Sequence, residues 1–172
     1  MTSADPAGDP FALLGLPRAH AIDRGELERR YLELSKELHP DRFVGAPPAE
    51  QRRAVERASA VNTASRVLRD PVARAERLCK LGGVDLDSTD PERGAPSPGQ
   101  AFLVEMIELR DALGEAPSPA ARDELRAATE ARALAAFDHA LAALAAADAR
   151  AAARHLVVHR YLQRFLDEID AA

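Results

Sequence analysis

Between Leu27 and Leu38 apolar side chains recur at intervals of four, three and four residues (Leu27, Tyr31, Leu34, Leu38), and the run stops at His39-Pro40-Asp41. That spacing returns side chains to one face of an α-helix, whereas a half-buried strand alternates at every second residue. Asp23 stands where the N-cap is needed. Pro40 ends the run, because proline has no N–H to donate and its ring disfavours helical geometry in the residue before it. The same punctuation recurs along the chain. Asp9-Pro10 opens a short segment closed by Gly15, with Phe11 and Leu14 as its candidate buried residues. Pro48 to Leu68 carries Ala54, Ala58, Val61 and Leu68 on one stripe, and Asp70-Pro71 restarts a shorter helix that ends at Gly82-Gly83. Two long helices joined by the short loop Val44 to Pro48 predict an antiparallel hairpin with His39-Pro40-Asp41 at its tip.

Asp85 to Gly99, with three prolines and two glycines and no apolar periodicity, predicts a linker or long loop between two halves. Three further helical segments follow, about Pro98 to Leu113, about Pro119 to Ala147 and about Ala149 to Ile169, and predict a small three-helix bundle. The middle one is alanine-rich, so its intrinsic helix propensity is high, and Leu134, Phe137, Leu141 and Leu144 are its expected buried stripe. On the first, at about 100° per residue, Phe102, Met106, Leu109 and Leu113 share one sector. Leu103, Val104, Ile107, Glu108 and Asp111 then lie opposite. Three apolar side chains edged by two acids combine desolvation with charge selection and make a candidate partner surface. The competing reading is that Leu103 and Ile107 widen the core stripe.

The fold class is therefore all-α. Aromatic residues make up only 4% of the 172 residues, while the apolar fraction is 47%, supplied mainly by alanine and leucine. A single cysteine, Cys79, forms no internal disulfide, which suits a reducing compartment. The opening MTSADPAGDP has two acids and no arginine, unlike a signal or transit peptide. No apolar run approaches the roughly 18 residues that span a bilayer. A cytoplasmic protein without membrane attachment is expected. Residues 1–80 hold 14 basic and 12 acidic side chains, residues 81–172 hold 9 and 16, so the first half carries +2 and the second −7. Residues 50–80, with 8 basic and 4 acidic side chains, predict a local positive face.

His39 and Asp41 could act as a base and its orienting carboxylate. Little around them supports catalysis: there is no serine or cysteine in a nucleophile-type context, no glycine-rich phosphate loop and no second histidine at metal-ligand spacing. Residues two apart across a proline are also expected to splay. His39 as a favourable donor at a helix C-terminus is the plainer alternative.

His39-Pro40-Asp41 directly after an amphipathic helix, followed by Arg42 and Phe43, resembles the J domain of co-chaperones that activate seventy-kilodalton heat-shock ATPases. DPFALLGL is similar to the opening of that family and VNTASRVLRDPVARAERL to its third and fourth helices, so the resemblance covers about residues 9 to 80. It implies that His39, Pro40 and Asp41, with Arg29, Arg30, Lys36 and Arg42, contact the ATPase and stimulate hydrolysis there. From Arg24 to Arg42 the sequence holds five basic and five acidic residues, whereas J domains usually have a clearly basic second helix. Ser65 stands where many relatives carry an aromatic.

There is no glycine- and phenylalanine-rich region and no CxxCxGxG repeat. Instead AFLVEMIELRDAL and the closing RYLQRFLDEI resemble the first and last C-terminal helices of the HscB family, the co-chaperones of iron–sulfur cluster biogenesis. The resemblance implies a J domain over 1–84, a linker over 85–99 and a scaffold-binding three-helix domain over 100–172. It implies two partners, a specialised heat-shock ATPase of HscA type and a cluster scaffold of IscU type, with no nucleic acid and no membrane. The scaffold contact falls on the face holding Leu103, Val104, Ile107, Glu108 and Asp111, together with Tyr161. Some relatives bind metal through a pair of CxxC motifs; this chain has neither, so no metal and no cofactor are expected. A J protein recruiting another client is the alternative.

Overall fold

The computed structural model describes residues 8–116 and 118–172; residues 1–7, most of the opening stretch read above, lie outside them. Among the described residues regular structure is entirely helical: α1 (Pro10–Leu13), α2 (Arg24–Glu37), α3 (Pro48–Arg69), α4 (Pro71–Leu81), α5 (Gln100–Glu115), α6 (Pro119–Ala145) and α7 (Ala149–Ala171), with a 3₁₀ turn at Pro40–Phe43. The chain divides between Leu78 and Cys79 into two compact units.

In the first unit, side-chain caps set the helix starts. Asp9 accepts a hydrogen bond from the Phe11 N–H at 3.0 Å while its other oxygen takes Arg18 Nε at 2.6 Å, and the carboxylate is almost fully buried. Both acceptor atoms of a buried charge are thereby satisfied. Asp23 accepts from the N–H groups of Gly25 and Glu26, and Asp70 from those of Val72 and Ala73. The hairpin of α2 and α3 closes around Leu27, Leu38, Ala54, Val61 and Leu68, with Phe11 and Leu14 of the opening segment buried as expected. Tyr31 and Leu34 are half-buried, and Tyr31 Oη reaches Asn62 on α3 at 3.1 Å. Ser65 is buried in this unit and its hydroxyl has no hydrogen-bond partner among the described residues.

In the second unit Met106, Ala133, Leu162, Phe165, Leu166 and Ile169 form the core, and Phe102, Leu109, Leu113, Leu125, Val158 and Tyr161 pack against it. The α6 stripe differs from expectation. Ala133, Ala136 and Ala140 are buried, with Thr129, while Leu134 is 62% exposed and Phe137, Leu141 and Leu144 are half-buried. Ala152 and Ala153 face inward on α7. Small side chains at a contact let helix axes approach closely, so alanine wins the seam although leucine is more hydrophobic.

The turn from α6 to α7 is built by the backbone. The Ala147 N–H donates to Leu144 O at 3.0 Å and the Asp148 N–H to Ala143 O at 2.9 Å, with Ala147 at φ 58°. This is the Schellman arrangement, which satisfies the last carbonyls of a helix and usually places glycine at the left-handed position. Asp148 then caps α7 by accepting from the Ala151 N–H at 2.8 Å.

The proline-rich stretch 85–99, expected as a linker or long loop, is a folded loop of the second unit. Asp85 N–H donates to Arg93 O at 2.7 Å and Gly94 N–H to Asp90 O at 2.6 Å. Arg160 of α7 pairs with Asp87 at 2.8 Å, and Arg150 donates to Glu92 O at 3.3 Å. A Cβ at Gly94 would lie 2.6 Å from Ser88 O and 2.7 Å from Asp90 O, closer than any side chain tolerates.

Candidate functional site

The end of α2 presents the first candidate surface. Leu38, buried, closes the helix with its N–H on Leu34 O at 2.9 Å; His39 then turns extended at φ −61° and ψ 133°, as its place before proline requires. Pro40 opens the 3₁₀ turn, whose closing bond runs from Arg42 N–H to His39 O at 3.0 Å. The Asp41 N–H donates to His39 Nδ1 at 3.3 Å. Contrary to the expected splay, His39 Nδ1 and Asp41 Oδ2 stand 3.5 Å apart, because the 3₁₀ turn folds residue 41 back over its own N-cap. Nδ1 is here an acceptor, so a neutral ring carries its proton on Nε2. The pair therefore presents an outward N–H and an open carboxylate from side chains that are 58% and 86% exposed. Both are fixed by the turn and open to a partner.

The charged surface of α2 differs from what composition suggests. Arg29 donates to Glu26 through Nε and Nη2 and to Glu33 through Nη1 at 2.7 Å, and Arg30 Nε donates to Glu26 at 2.9 Å. These two guanidinium groups hold the Glu26 carboxyl below its ordinary value. Arg29 and Arg30 are thus engaged along their own helix, while Lys36 and Arg42, next to the turn, are exposed and have no ion-pair partner among the described residues. Beside the turn lies a groove of about 670 Å³ lined by Leu38, Pro40, Phe43, Val44, Val55 and Ala58 among others, with Val44 82% and Val55 62% exposed. Sequence reasoning missed it. Its signal was there in Val44 and Val55, apolar residues that lie off every helical stripe.

The second surface is on α5. Leu103, Val104 and Ile107 are 36%, 47% and 59% exposed, and Glu108 and Asp111 are exposed beside them. The opposite face buries Met106 and partly buries Phe102, Leu109 and Leu113. The sector assignment made from periodicity is thus the one adopted. Tyr161 is half-buried: it packs at the edge of the core, its ring edge-to-face with Phe102 at 5.9 Å. Two ion pairs missed by the sequence reading brace α5, Arg110 with Glu168 on α7 at 2.7 and 2.8 Å and Arg132 on α6 with Glu105 at 2.7 Å. The first is bidentate and holds the Glu168 carboxyl below its ordinary value.

Among the described residues no three His, Cys, Asp or Glu side chains are grouped so as to hold a metal ion. No helix of those residues is long and apolar enough to cross a membrane.

Comparison with known proteins identifies the family of the chain. Residues 9–76 match the DnaJ domain, and residues 99–170 match the domain described as the HSCB C-terminal oligomerisation domain. The "Co-chaperone protein HscB homolog" of Azoarcus sp. (strain BH72) is 43% identical over 117 residues, 68% of this chain and 64% of that relative. That of Bordetella pertussis (strain Tohama I) is 41% identical over 125 residues, 72% of this chain and 71% of that relative. The alignments to the Azoarcus and Bordetella petrii relatives thus span just under two thirds of their lengths, 64% and 65%. Among solved structures, human co-chaperone protein HscB aligns with a TM-score of 0.77 at 29% identity over 97% of this chain and 83% of that one. Chaperone HscB from Vibrio cholerae aligns with a TM-score of 0.73 at 28% identity, over 95% of this chain and 96% of that one. With a DnaJ domain followed by an HscB C-terminal domain, the chain belongs to the HscB co-chaperone family.

Proposed function

We propose that this protein is a cytoplasmic co-chaperone that brings an iron–sulfur cluster scaffold of IscU type to a specialised heat-shock ATPase of HscA type and stimulates hydrolysis there. Residues 1–84 engage the ATPase and residues 100–172 hold the scaffold, with 85–99 between them. His39, Pro40 and Asp41 make the central contact with the ATPase, His39 through its Nε2 side and Asp41 as a charge-assisted acceptor for a partner arginine. Lys36 and Arg42 supply free positive charge beside them. Arg29 and Arg30 contribute by exchanging intrahelical carboxylates for acidic groups of the partner. Leu103, Val104 and Ile107 form the apolar centre of the scaffold contact, Glu108 and Asp111 its acidic rim, and Tyr161 of α7 contributes to the contact. The protein forms and breaks no bond itself, and the cluster is cargo.

The observation that carries this reading is the exposed, backbone-fixed His39-Asp41 pair at the end of α2, a geometry suited to being read by another protein. The test is steady-state ATP hydrolysis by the purified chaperone with and without scaffold. His39→Gln is expected to abolish stimulation while leaving scaffold affinity and the circular dichroism spectrum unchanged. Full stimulation by that variant overturns the assignment.

A further inference from the structure

Two imidazoles meet across the α6–α7 seam. His139 of α6 and His155 of α7 have ring centroids 5.3 Å apart at an interplanar angle of 50°. They lie about two helical turns on either side of the tight turn at Ala147. His139 is exposed and His155 half-buried, and neither ring has a hydrogen-bond partner among the described residues. The remaining histidine of this seam, His159, is different. It is buried, and its Nδ1 is committed to Ala133 O at 2.9 Å. One histidine thus serves the fold, while the other two form a pair with no bonding role in it.

From this juxtaposition we propose that His139 and His155 form a two-imidazole site for a first-row divalent ion that favours nitrogen ligands, of the Ni²⁺, Cu²⁺ or Zn²⁺ class. Metal–nitrogen bonds of about 2.0–2.1 Å place an ion about 3 Å from each ring centre, so two imidazoles on one ion stand about 5 Å apart at near-tetrahedral angles. The observed spacing fits without moving either helix. The final ring torsion of histidine is broad, so turning a nitrogen inward costs little. Two protein ligands leave the other coordination positions to water or to a donor from another molecule, so this is an open site. Imidazole ligands select against Mg²⁺ and Ca²⁺, which take oxygen donors. Arg154, exposed and next to His155, opposes a cation and keeps the site one of moderate affinity; Asp138, exposed and next to His139, works the other way. The proposal is independent of the co-chaperone reading.

The experiment is calorimetric titration of the full metal-free chain with NiCl₂ near neutral pH, paired with thermal unfolding. One ion per chain is expected, and saturating Ni²⁺ raises the unfolding midpoint because the site exists only when α6 and α7 are packed. His139→Gln and His155→Gln should each weaken binding at least tenfold, since each turns a chelate into a single ligand, and each should remove the midpoint shift. His39→Gln should leave both unchanged. The exposed His139 variant decides the matter even if His155→Gln lowers metal-free stability. Unaltered Ni²⁺ binding in the double variant His139→Gln/His155→Gln, loss of binding in His39→Gln, or no binding by the native chain overturns the site.

Discussion

At the scale of single residues, the structure separates side chains that neighbours in sequence would lead one to group. Leu103 and Ile107 are exposed, whereas Phe102 is half-buried against the core and in edge contact with Tyr161. Replacing Leu103 and Ile107 by alanine is expected to weaken scaffold binding by about 1–4 kcal/mol in total with little loss of stability. Phe102→Ala should instead lower stability by about 2–3 kcal/mol, below the range for a fully buried aromatic because part of the ring already meets water. Thermal melts and scaffold titrations on the two variants check the contrast. Ser65 offers a separate test. A buried hydroxyl without a partner forfeits its hydration for nothing, so Ser65→Ala should raise stability by about 1 kcal/mol in a urea titration.

Elements were legible to different degrees. Helix starts were readable because Asp9, Asp23 and Pro48 act locally, and the α5 core face followed from angular spacing alone. The stripe of α6 was not readable, since in an alanine-rich helix periodicity ranks leucines while packing distance ranks small side chains, and only the partner helix α7 decides between them. The proline-rich stretch left linker and long loop equally open, because its bonds run to α7, far along the chain, through Asp87 and the Glu92 carbonyl. The closeness of His39 to Asp41 was missed because the 3₁₀ turn, and not proline alone, sets their spacing. Between α5 and α7 the Arg110–Glu168 pair carries a pH signature. Its carboxyl titrates below the ordinary glutamate range, so its contribution is fully present above that range and fades as pH falls through the lowered folded value. Both side chains are 42% exposed and screened by solvent, so the effect is small. Glu168→Gln is expected to flatten the acid limb of a plot of unfolding midpoint against pH and to lose that difference at high salt.

For the molecule as a whole, the charge division gives the proposed partners different ionic behaviour. The first half carries +2 and the second −7. With Arg29 and Arg30 held by their own carboxylates, the free cations next to the His39–Asp41 turn are, among the described residues, Lys36 and Arg42. Association with the ATPase should therefore slow only modestly between low and physiological salt, and Glu26→Gln, which frees Arg30 and leaves Arg29 paired with Glu33 alone, should raise the association rate at low salt in a stopped-flow measurement. An unchanged rate would mean that these arginines stay outside the contact.

The turn at Ala147 also bears on the order of assembly. It joins the two longest helices of the chain through very few residues, so the α6–α7 seam forms from contacts local in sequence and pays little loop-closure entropy. Such a hairpin is a natural nucleus for the second unit, and the left-handed alanine is its one costly step, at about 1–2 kcal/mol for a residue with a Cβ. Ala147→Gly removes that cost in the transition state as well as in the native state. Its gain of about 0.5–1 kcal/mol, after glycine's larger entropy loss is counted, should surface as faster refolding of the second unit with its unfolding rate nearly unmoved.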